Sequence, residues 1–66
     1  MTEERALEIL QAKYGTQVTD VMRITGTNRY TINKSGRAIF VNGKLKNIFT
    51  LGEILGYEDE MCAVNQ

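Results

Sequence analysis

The sequence predicts an α+β fold: an N-terminal helix, an antiparallel meander of three or four short strands and a short C-terminal helix. Three observations carry that prediction. Ala6, Leu7, Leu10 and Tyr14 recur at helical spacing between Thr2 and Gly15. Turn signals flank the apolar run AIFV at residues 38–41. Thr50 and Glu53 stand at the capping-box spacing ahead of a last apolar stretch.

The first helix is expected over residues 3–14. Thr2 supplies an N-cap oxygen, Glu3 and Glu4 place carboxylates at the positive end of the helix dipole, and Gly15 provides the stop. Residues 18–36 then admit two readings. In the strand reading, Met22 and Ile24 share one face, as do Tyr30 and Ile32. NKSG at residues 33–36 suits a type I turn with Gly36 in the left-handed position, and VNGK carries the Asn42–Gly43 pair favoured in two-residue hairpins. AIFV, apolar on both faces, reads as a central strand, and Phe40 and Phe49 read as core in preference to base-stacking platforms. In the helical reading, Val18, Val21, Met22 and Thr25 line one helix ended by Gly26, and Thr27 or Asn28 caps a second helix carrying Ile32.

Asp20, Val21, Arg23, Ile24, Thr25 and Gly26, followed by Arg29, Thr31 and Ile32, give the helical reading a family likeness. Over residues 18–57 the chain resembles helix-turn-helix proteins. AIFVNGKLKNIF looks like a wing and TLGEILGY like a closing helix, similar to the small winged-helix excisionases of phages and mobile elements. The resemblance implies an alternative fold, a winged helix-turn-helix with one hairpin wing, and DNA as the partner. Asn28, Arg29, Tyr30 and Asn33 would then face the major groove, with Lys44 and Lys46 on phosphates. The strand reading takes precedence. A second helix of about eight residues rich in Thr and Asn has poor propensity, whereas the turn signals agree with the pattern around them.

The last helix is expected near residues 50–57, with Leu51, Ile54 and Leu55 toward the core. Residues 58–66 read as a flexible acidic tail opened by Glu58, Asp59 and Glu60.

With 66 residues the chain forms one domain whose stability margin is thin. Its single cysteine, Cys62, cannot bridge internally, and without histidine the familiar zinc ligand sets are missing. A partner chain is the remaining staple, so a homo-oligomer is expected. No signal or membrane-spanning stretch is read, and the expected location is the cytoplasm. Catalysis is not expected: there is no histidine, no G-x-x-x-x-G-K, no G-x-G-x-x-G and one serine, and no cofactor is called for.

A net charge of zero conceals an arrangement. Residues 21–50 hold Arg23, Arg29, Lys34, Arg37, Lys44 and Lys46 and no acid, while acids dominate on either side. Such a block points to polyanion binding, or to pairing with the flanking acids. The expected function is therefore a small non-enzymatic nucleic-acid-binding accessory or regulatory protein that contacts DNA through Arg23, Asn28, Arg29, Tyr30, Asn33, Lys34, Arg37, Lys44 and Lys46. The alternative is a protein-binding inhibitor or adaptor that pairs an exposed strand edge with a larger partner.

Overall fold

Thr2 and Gly15 bound the first helix as the sequence predicts. In the computed structural model, which describes residues 1–34 and 37–64, α1 spans Glu3–Tyr14. The Thr2 hydroxyl accepts the Arg5 N–H at 3.1 Å. Gly15, at φ 92°, donates its N–H to the Gln11 carbonyl at 2.8 Å. Ala6, Ile9 and Leu10 are buried, and Leu7 and Tyr14 pack beside them.

Residues 18–34 resolve the double reading in favour of strands. β1 (Val21–Arg23) and β2 (Arg29–Ile32) pair antiparallel, Val21 opposite Ile32 and Arg23 opposite Tyr30. The two helices of the winged alternative therefore do not form here. Val21, Thr31 and Ile32 are β-branched and fit a pleated surface better than a short helix. Gly26, at φ 77°, sits in the hairpin turn instead of ending a helix. That turn is tied by Thr27, whose N–H and hydroxyl both donate to the Ile24 carbonyl, at 3.1 and 2.8 Å.

The meander divides into two sheets. β3 (Phe40–Val41) and β4 (Lys44–Leu45) form a hairpin around Asn42 and Gly43, both at positive φ, as their residue types predict. β5 (Ile48–Thr50) passes this hairpin by and pairs with β2, Tyr30 opposite Phe49, giving the order β1-β2-β5. The free side of β2 is thus taken by β5, and AIFV cannot be a central strand. At the exit of β2, Asn33 adopts φ 59°, accepts the Thr19 N–H on its side-chain oxygen at 2.9 Å and donates its amide to the Arg37 carbonyl at 2.6 Å. The left-handed glycine expected at position 36 lies outside the described residues.

α2 spans Leu51–Val64 and opens on the capping box: Glu53 N–H donates to the Thr50 hydroxyl and Thr50 N–H to the Glu53 carboxylate, each at 3.1 Å. Ile54 is buried, but Leu55 faces solvent and Tyr57 and Met61 take the core side. The helix also continues where an acidic tail was expected. There Met61 packs against the core, and two acids meet cations of α1: Glu58 lies 2.9 Å from Arg5 and Glu60 3.0 Å from Lys13. Among the described residues no helix is long and apolar enough to cross a membrane.

Both helices cover one face of the three-stranded sheet. Phe49, fully buried on β5, lies 5.5 Å from the Tyr14 ring of α1 and 6.4 Å from the Tyr57 ring of α2, centroid to centroid. The two tyrosine hydroxyls meet at 2.8 Å. Burial first, and the Tyr14 hydroxyl second, push the Tyr57 phenol above its usual range. Truncation of Phe49 removes the contact shared by both helices. Phe49→Ala is expected to cost about 3–5 kcal/mol, against a total of roughly 3–10 kcal/mol for a domain this size. Urea unfolding followed by circular dichroism at 25 °C should show a midpoint far below the parent's; a midpoint within the error of the parent would contradict this packing.

Candidate nucleic-acid interface

Folding sorts the charges by layer. The two helices carry seven acids, Glu3, Glu4, Glu8, Glu53, Glu58, Asp59 and Glu60, against Arg5 and Lys13. The strands and loops carry six cations against Asp20. The cations of α1 take up α2's Glu58 and Glu60, so these acids are not spent on the central basic block. Among the described residues, Arg23, Arg29, Lys34, Arg37 and Lys44 form no ion pair, and all five are exposed.

The nine candidate binding residues do not converge on one spot. Arg23, Asn28 and Arg29 lie at the β1–β2 turn, where the Arg23 guanidinium donates to the Thr27 carbonyl at 3.0 Å. Lys34 and Arg37 follow the opposite end of β2, beyond Ile32 and the turn at Asn33, whereas Arg29 begins the strand. Lys44 stands at the hairpin tip.

The remaining three belong to the fold. Tyr30 is 2% exposed, and its hydroxyl donates to the Met1 carbonyl, so no base edge can reach it. Its place on β2, opposite both Arg23 and Phe49, turns it toward the helices. Asn33 spends its amide on Thr19 and Arg37. Lys46 lies over the Phe49 ring at 4.7 Å and pairs with Glu53 at 2.9 Å.

Phe40 departs from the position that the sequence suggests. Expected in the core, it is 66% exposed, directly opposite Leu45 at 57%. The tight Asn42–Gly43 turn sets the alternation: Ile39 and Val41 go inward, so Phe40 goes out. The outer sheet face is also open, with Met22, Thr31 and Ile48 in one row and Arg29 beside Thr50 in the next.

Several outward edge groups of the sheet are met by side chains of the chain itself. Ile24 and Asp20 bond to β2 and mark the inward positions of β1, leaving Val21 and Arg23 directed outward. The Arg23 N–H donates to Glu3 at 2.8 Å. On β5 the outward positions are Ile48 and Thr50. Lys46 donates to the Ile48 carbonyl at 3.3 Å, and Glu53 accepts the Thr50 N–H. Charged side chains placed on edge groups in this way obstruct strand addition.

Chemical machinery is sparse. A cleft of about 450 Å³ beside β1 has Glu3, Asp20 and Lys34 on its lining, but Glu3 is committed to the Arg23 N–H. Among the described residues no cluster of three or more His, Cys, Asp or Glu could hold a metal ion.

Glu53 joins the cap to the basic hairpin. The Lys46 ammonium, with the Thr50 N–H assisting, holds its carboxyl below the usual value near 4.5 despite some burial. The stabilisation is complete above that ordinary value and is lost as pH falls through the lowered one. Glu53→Gln should therefore lower the urea midpoint at pH 6 and narrow its deficit against the parent in strong acid. An equal deficit at both pH values would refute the linkage.

No family model, curated protein or solved structure matches this chain.

Proposed function

We propose that this chain is a small non-enzymatic nucleic-acid-binding protein, an accessory or regulatory factor that receives the polyanion on its strand layer. One observation carries the proposal: the acids are gathered on the helices, and five exposed cations on the strands and loops are left without ion pairs among the described residues. A surface of this kind attracts phosphates and releases their counterions. Arg29 at the start of β2 and Lys34 beyond its end are separate contact points, which suits several phosphates rather than one small anion. The same proposal assigns the protein to the cytoplasm, where an exposed free thiol such as Cys62 stays reduced. The adaptor reading, through a strand edge, is less well supported, since Glu3, Lys46 and Glu53 already occupy outward edge groups.

Arg29→Ala combined with Lys44→Ala tests the proposal, because both side chains are exposed and unpaired among the described residues and their loss leaves the core intact. Fluorescence anisotropy with random-sequence DNA at a series of salt concentrations should show weaker binding by the double variant. The slope of log affinity against log salt should be shallower by about 2. Absence of binding by the parent at low salt sinks the proposal. Lys46→Ala serves as the contrast, expected to lower thermal stability through loss of its Glu53 and Phe49 contacts more than it lowers affinity.

A further inference from the structure

The hairpin β3–β4 presents what the charge pattern does not explain. Of the chain's two phenylalanines, one is the fully buried centre of the fold and the other is two-thirds exposed. Phe40 contributes nothing to the buried cluster, which takes Ile39 and packs Val41 from the same segment. Its ring lies across from Leu45, so the pair forms a small apolar platform on one face of a two-stranded ribbon. Arg37 precedes Phe40 by three residues and Lys44 immediately precedes Leu45; both are exposed and without an ion pair among the described residues.

We infer that Phe40 is a stacking platform for an unpaired base, which makes the preferred ligand of the strand layer single-stranded nucleic acid rather than duplex. The inference rests on the polyanion reading and narrows it. Cations alone suffice for a duplex, whose bases are stacked on one another and offer no face to a protein ring. An exposed ring gains binding energy only from a base whose face is open, and every base has one, so such a site is tolerant of sequence. Charge complementarity selects this occupant over an apolar protein surface: residues 21–50 contain six cations and no acid, and the exposed Lys44 stands at the tip of the same hairpin, across from Val41 on its other face. Leu45 fits the same role by walling the platform on one side.

The test uses fluorescein-labelled oligothymidylate and a duplex of equal length, titrated with the whole chain by anisotropy at low salt. The oligothymidylate should bind at least tenfold more tightly than the duplex. Phe40→Leu, which keeps an apolar side chain but removes the ring, should weaken oligothymidylate binding by roughly fivefold to a hundredfold, the range for loss of one stacked base. Its salt slope should be unchanged. Phe40→Trp should retain or improve binding. Because the side chain is solvent-facing, all variants should keep the parent's thermal midpoint.

Equal affinity for both probes, with no effect of Phe40→Leu, overturns the stacking site while leaving the polyanion reading in place. Binding of neither probe overturns both. Loss of a concentration-dependent dimer in Phe40→Leu, seen by sedimentation velocity, would assign the ring to a second copy of the chain and likewise overturn it.

Discussion

Phe49 is the point at which the sheet and both helices meet. It sits on β5 opposite Tyr30, and its ring faces Tyr14 from α1 and Tyr57 from α2, whose hydroxyls close the third side of the cluster. In so short a chain the buried surface is small, and aromatic groups supply the most area per residue. The Lys46 ammonium above the same ring connects this core to the basic hairpin, and its pairing with Glu53 connects the hairpin to the cap of α2. One buried ring therefore sets the position of β5, the entry of α2 and the seat of the hairpin.

The distribution of charge follows from that arrangement. With α1 and α2 adjacent on one side of the sheet, Arg5 and Lys13 come within reach of Glu58 and Glu60, and the helical layer neutralises part of its own excess. These pairs are largely solvent-exposed, so their contribution to stability is small. Their consequence is electrostatic. By engaging the acids of α2 within the helical layer, they leave the strand layer with cations that face water. The acids of a chain of zero net charge are thus gathered on the helices, while the cations without an ion pair among the described residues lie at the β1–β2 turn, the exit of β2 and the hairpin tip.

The exposed apolar groups differ from the open edges. Edge groups on β1 and β5 are met by Glu3, Lys46 and Glu53, a defence against uncontrolled strand pairing. Phe40 and Leu45 have no comparable cover, although a hairpin of two strands gains little from displaying them. Protection of the edges alongside exposure of the hairpin face directs attention to the side chains of β3 and β4 rather than to backbone addition.

Several elements were legible in the sequence because they depend on neighbours within four residues. Thr2 and Gly15 delimit α1, Asn42 and Gly43 close the hairpin, and Thr50 with Glu53 starts α2, each through contacts spanning a turn. The basic block was equally plain, since it is a matter of composition. What lay beyond reach were outcomes of distant pairing. The choice of β5 as the partner of β2 removed AIFV from the centre of a sheet and turned Tyr30 from a candidate base reader into a core residue. Likewise, the continuation of α2 past Tyr57 accompanies the contact of Glu58 with Arg5 across 53 positions, which no local pattern signals. The sequence by itself determined where the chain turns, where its helices begin and that its middle is basic. Only the tertiary structure decided which of those residues remain available to a ligand, because exposure depends on what packs against each side chain, and here that partner is mostly remote in the chain.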